Sequence, residues 1–176
     1  MNFEQSIKIL MSPMIEGGYA NVKRDRGGET KYGISKKRFP NVDIKNLTVP
    51  EAEALYRENF WDEMRLDEFP SALRYPMLDT GTLFGPTQAI MWLQGAIGTL
   101  VDGRLGPKTM AKLAECDLKE TYRIIFVQRA RRHAEQDEAQ LETFGNGWYA
   151  RLFDITEIFL KEINKVESCA SSESMA

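Results

Sequence analysis

The chain has 176 residues, 43% of them apolar, and a formal net charge of −3. That length allows one globular domain with an elaborated second half, or two small lobes sharing an interface. The slightly acidic balance argues against nucleic acid as a partner. No run approaches the ~18 apolar residues of a membrane span, so no stable membrane insertion is expected.

At the N-terminus Glu4 and Lys8 interrupt apolar residues that recur at helical spacing, so no signal peptide is read there. Synthesis in the cytoplasm and export by another route are the expectation. Phe3, Ile7, Leu10, Met11 and Met14 mark one face of a first helix, with Asn2 and Gln5 as its capping box. Gly17-Gly18 is expected to end that helix, because glycine adopts a left-handed cap without a Cβ clash. Residues 19–35 hold too many glycines and charges for a helix, and a short hairpin or irregular loop fits better.

Thr48, Pro50 and Glu51 signal a helix start, followed by an aromatic-rich buried face of Leu55, Tyr56, Phe60 and Trp61. A further helix carries Leu73, Met77 and Leu78, with Pro76 expected to kink it. Pro86 opens another, ended by Gly98; Pro107 starts a short one after the turn Asp102-Gly-Arg-Leu-Gly106. Asp117 and Glu120 cap a long helix expected to reach about Leu141, with His133 exposed in its charged second half. Phe144-Gly-Asn-Gly147 is expected to break the chain before a last helix carrying Trp148, Leu152, Ile155, Phe159 and Ile163. The polar tail from Glu167 is expected to be disordered. The fold class is mainly α, with six or seven helices. The organisation read from it is 1–83, 84–166 and a tail, 167–176.

Chemistry concentrates in residues 16–35, where Glu16 and Asp25 stand on either side of a glycine-rich turn. Two carboxylates held across a cleft are what hydrolysis of a glycosidic bond requires. A general acid must keep its proton at working pH. The end of the first helix, with Met14, Ile15 and Tyr19 nearby, would raise the pKa of Glu16. Asp25 would activate water, attack as a nucleophile or stabilise an oxocarbenium-like transition state. Thr30 could position a water, and Tyr32 could stack on a sugar face. Around them Lys23, Arg24, Arg26, Lys31, Lys36, Lys37, Arg38 and Lys45 form either a solvated surface or a patch for an anionic polymer.

The run EGGY followed by D-x-G-G-E-T-K-Y-G-I resembles the signature of glycoside hydrolase family 108, the phage- and prophage-type N-acetylmuramidases, some of them described as secretion activators. The resemblance implies a lysozyme-like helical fold and Glu16 as catalytic acid. Asp25 and Thr30 stand as its candidate companions, with Tyr19 and Tyr32 as candidate substrate contacts. The Glu/Asp/Thr order is also similar to that of small phage lysozymes, although four residues separate Asp25 from Thr30 here, where those have five. The substrate implied is the peptidoglycan glycan strand, cut between N-acetylmuramic acid and N-acetylglucosamine, with release through a holin or secretion system. The second half resembles the peptidoglycan-binding segment that accompanies this family. Its matching pieces are Leu93-Gln94, the turn 102–109, Phe144, Gly147-Trp148 and Arg151. Two other readings stand beside the hydrolase: a wall-binding module without turnover that aids secretion, and a lytic transglycosylase.

No cofactor is expected. One histidine and two isolated cysteines make a zinc site improbable. No serine sits in a nucleophile elbow, and GGET lacks the spacing and lysine of a phosphate-binding loop.

Overall fold

The structure is a computed structural model that describes residues 1–12, 18–21 and 28–173. Among the described residues it is mainly α, with seven α-helices and one small sheet. Helix α1 spans Phe3–Leu10, and the Asn2–Gln5 capping box closes its start. Its C-cap is Met11, whose N–H reaches the carbonyl of Ile7, so it closes at Leu10 rather than at the Gly17-Gly18 pair.

Three short strands follow, β1 (Tyr19–Asn21), β2 (Glu29–Lys31) and β3 (Ile34–Ser35), antiparallel in the order β1-β2-β3. The β2–β3 connection is the two-residue turn Tyr32-Gly33, with φ of 51° and 77°. Positive φ at both central residues is the geometry that matches the twist of a tight hairpin.

Helix α2 (Val49–Tyr56) starts where the threonine–proline–glutamate signal predicts, with Glu51 accepting from the Thr48 amide at 2.8 Å. It widens into a π-helical segment over Arg57–Asp62 that buries Phe60 and Trp61.

Helix α3 (Ser71–Phe84) is the axis of the molecule. Every residue from Ala72 to Gly81 except Arg74 is buried, as expected of a helix covered on all sides. It packs against α1, α4 (Pro86–Ala96), α6 (Leu118–Ala134) and α7 (Glu138–Glu173). Gly81 leaves room for the buried Met64, since a Cβ there would stand 2.5 Å from the Met64 methyl. Helix α5 (Pro107–Ala114) completes the set, and one hydrophobic cluster runs from Phe3 to Ile163. No helix among the described residues is long and apolar enough to cross a membrane.

The last third departs most from expectation. Helix α6 ends at Ala134, and Asp137 starts α7 by accepting from the Gln140 amide at 2.9 Å. Helix α7 then runs unbroken through Gly145 and Gly147 to Glu173. Two helical glycines cost about 1 kcal/mol each, which packing of Leu152, Ile155, Phe159 and Ile163 into the core outweighs. Residues 167–173, expected to be disordered, are its final turns.

His133 is also corrected. It is only 5% exposed, and its ring stacks on Trp148 at 5.0 Å and meets Phe84 at 5.4 Å. Burial, then the nearby guanidinium groups of Arg129 and Arg151, push its pKa down to about 4, with Asp79 opposing. The unfolded chain therefore takes up this proton first as pH falls. Stability from this group is complete above pH 6.5 and is lost between 6.5 and about 4. Thermal melts of wild type and His133→Gln across that window should show a steeper decline, by a few degrees, in the wild type. Parallel curves would remove His133 as the cause.

Candidate active site

The site expected from sequence lies on and around the sheet. Glu16 precedes β1, and Asp25 falls in the connection between β1 and β2; both lie outside the described residues. The sheet itself is described. β1 pairs with β2 in the register Tyr19–Lys31, Ala20–Thr30 and Asn21–Glu29. Side chains alternate between faces, so Tyr19 and Glu29 share one face and Thr30 takes the other.

Tyr19 is 47% exposed, and its hydroxyl donates to Glu29 Oε1 at 2.8 Å. The bond to this carboxylate, with a little burial, raises the phenol pKa, so the hydroxyl is held as a hydrogen-bond donor beside an open ring face. Glu29 was not singled out from sequence. Its link to Tyr19 depends on strand register, which only the folded hairpin supplies.

Thr30 is half-buried, and its hydroxyl donates to the Gly28 carbonyl at 3.2 Å. With its proton committed, its oxygen is left as an acceptor, as needed to orient a water. Tyr32 is placed differently from a free platform. It sits in the left-handed region, costly for a bulky residue, with its ring packed partly against the core. Its amide donates to the Gly18 carbonyl at 3.1 Å, and its carbonyl accepts from the Tyr56 hydroxyl at 2.7 Å. Lys31 Nζ lies 5.4 Å from its ring centroid. Tyr56→Phe should therefore destabilise the fold by about 0.5–1.5 kcal/mol, the net worth of a part-buried hydrogen bond. It should also slow turnover by loosening the turn that holds Thr30. A denaturant melt beside an activity assay checks this, and unchanged values for both would refute it.

Of the basic residues read as a patch, Lys23, Arg24 and Arg26 lie outside the described residues. Lys31 and Lys36 turn onto loop carbonyls, those of Lys45 at 3.0 Å and Val42 at 2.8 Å. Arg38 lies over the Phe60 ring at 4.3 Å, and burial lowers its pKa. These three brace the loop after the sheet. A groove of about 560 Å³ behind that loop is bordered by Asp43, Glu51 and Glu58. Asp43 is held below the usual carboxylate range by Asn46, and Glu51 by Thr48, so neither is suited to act as a general acid.

One buried ionic cluster ties this half to the rest. Asp79, wholly buried on α3, accepts from Arg129 Nη2 at 2.6 Å and from Arg151 Nη2 at 2.6 Å and Nε at 2.9 Å. Arg129 Nη1 also donates to Thr80 Oγ1 at 3.1 Å. Burial alone would raise the Asp79 pKa, but the two guanidinium groups outweigh it and hold it below the usual range.

A small antiparallel sheet beside a buried central helix, in a mainly α setting, is a lysozyme-like fold. Residues 11–85 match the family model described as Glycosyl hydrolase 108. The fold is similar to that of the solved "Structure of Brucella abortus SagA", with a TM-score of 0.78 and 26% identity, over 92% of this chain and 94% of that one. No curated protein matches the chain. Together the family match and the fold match support the glycosyl hydrolase 108 family, and with it a glycoside hydrolase.

Proposed function

We propose that the chain is a lysozyme-type N-acetylmuramidase, cleaving the bond from N-acetylmuramic acid to N-acetylglucosamine in peptidoglycan. The observation that carries this reading is the glycosyl hydrolase 108 match over residues 11–85, the segment holding Glu16, Asp25 and Thr30. Glu16 gives its proton to the leaving glycosidic oxygen. Asp25 stabilises positive charge at the anomeric carbon or activates the water that completes cleavage. Thr30, accepting through its hydroxyl oxygen, orients that water, and the exposed ring of Tyr19 lies under a sugar. Residues 84–166 hold the strand against the catalytic half, and the enzyme reaches the wall through a holin or secretion system.

The test is a zymogram with murein embedded in the gel, followed by mass spectrometry of the released muropeptides. Reducing N-acetylmuramic acid ends are expected. 1,6-Anhydro ends would make the chain a lytic transglycosylase, and no clearing would leave a binding module.

A further inference from the structure

Strand β2 uses each of its three side chains differently. Lys31 turns its Nζ onto the Lys45 carbonyl at 3.0 Å, and Thr30, on the opposite face, donates to the Gly28 carbonyl. Glu29, in no salt bridge among the described residues, instead accepts from the Tyr19 hydroxyl at 2.8 Å. In the register Tyr19–Lys31 and Asn21–Glu29, Tyr19 and Glu29 are diagonal neighbours on one face of the β1–β2 pair. That diagonal is a distance only a long or aromatic side chain bridges. Asn21 stands on the same face, opposite Glu29, and acts on the Tyr19 phenol in the opposite sense to the carboxylate.

All three residues of β1 are exposed, and a tyrosine in solvent samples several staggered side-chain states. A cross-strand pair of this kind adds little to stability. What it fixes is the direction of the ring. The strand beneath is fixed as well, because the Tyr32 amide donates to the Gly18 carbonyl at 3.1 Å and closes the hairpin one residue before Tyr19. Ring and backbone are both held, while the side chain stays open to solvent.

We propose that Glu29 is a positioning residue for the substrate, its carboxylate holding the exposed ring of Tyr19 in the direction that receives a sugar of the glycan strand. The assignment rests on the hydrolase reading above, which sets a sugar against Tyr19. A ring already held in its bound direction loses less freedom when the substrate arrives. With the Tyr19 proton committed to Glu29, the phenolic oxygen is left to accept from a sugar hydroxyl or an acetamido N–H. Such a platform grips substrate and transition state alike, so its loss appears in KM and leaves kcat in place.

Initial rates on soluble, uncross-linked glycan strands test this in the full chain. Glu29→Ala is expected to raise KM about three- to tenfold, the cost of ordering one free side chain, with kcat close to wild type. Glu29→Gln keeps an oxygen that accepts from the Tyr19 hydroxyl and is expected to restore KM. Tyr19→Phe should match Glu29→Ala, and the double variant Glu29→Ala, Tyr19→Phe should be no worse than either, because each removes the same bond. Melting temperatures should agree within about 2 °C throughout. An unchanged KM in Glu29→Ala, a glutamine variant as impaired as the alanine one, or strictly additive effects would each overturn the proposal. So would a large fall in kcat at unchanged KM, which would move Glu29 into the chemistry. Binding of the N-acetylglucosamine hexamer, followed by calorimetry, reads the same order of variants without bond cleavage. Hexamer binding that weakens in Glu29→Ala, by a chain that never clears murein, counts against the hydrolase alone. Clearing and binding that are both indifferent to Glu29→Ala count against the positioning role alone, and a chain that neither clears murein nor binds the hexamer sinks both.

Discussion

Glu16→Gln is expected to abolish clearing of murein while leaving the melting temperature within about 2 °C of wild type. Glutamine keeps the shape of the side chain but has no acid proton to give, and a positioned general acid contributes roughly 10²–10⁴-fold to such a reaction. Asp25→Asn is expected to lower clearing as well. From sequence, the end of the first helix and the apolar neighbours Met14, Ile15 and Tyr19 are expected to raise the pKa of Glu16. Helix α1 closes at Leu10, with the Met11 amide donating to the Ile7 carbonyl. Glu16 itself lies outside the described residues. The expectation for Glu16 therefore rests on its place in the matched family segment. Near-normal clearing by Glu16→Gln, with melts that coincide, would end the assignment. A dead variant melting far below wild type would show that the residue holds the fold instead.

What could be read from the sequence was local. The starts of α1, α2, α4, α5 and α6 follow from bonds spanning a few residues. These are the Asn2–Gln5 and Thr48–Glu51 boxes, the prolines at 86 and 107, and Asp117 accepting from the Glu120 amide at 2.9 Å. The glycine-rich stretch is legible as non-helical, a short hairpin or an irregular loop, and the register Tyr19–Lys31 selects the hairpin. What escaped depends on distant partners. Helix α7 crosses Gly145 and Gly147 because its apolar face is buried against the core, which propensity does not register. His133 looked exposed among charges, but Tyr122, Ile125, Arg129 and His133 recur at helical spacing and all face inward. That spacing was the available signal, obscured by the arginines between them. The bond from Tyr19 to Glu29 needs the register of the hairpin, and Glu29 carries no mark of it in the sequence.

The largest effect on stability is expected at Asp79, an acid set in the middle of the buried helix α3. Asp79 pairs with two guanidinium groups that have little exposure themselves, 3% for the Arg129 side chain and 11% for that of Arg151. Asp79→Asn keeps the size but removes the negative charge that both guanidinium groups share. Removing one member of a buried ionic cluster costs about 3–5 kcal/mol, because desolvation of the remaining charge is no longer offset. In a chain of this length each kcal/mol moves the melting temperature by roughly 2–4 °C, so a fall of about 10 °C is expected. The bonds join α3 to α6 and α7, so the second half should loosen first, as faster amide exchange in those two helices. The pH dependence has a definite sign. Asp79 titrates below its ordinary value in the folded chain, so its contribution is complete above the unfolded pKa near 3.9. It is lost as pH falls through the lower folded value. Wild type should therefore approach the variant only in strong acid. A double-mutant cycle of Asp79→Ala with Arg129→Ala separates pairing from packing. The double variant should be far less destabilised than the sum of the two single changes. Strict additivity would mean that the cluster is held by its surroundings and that Asp79 does not fasten the helices together.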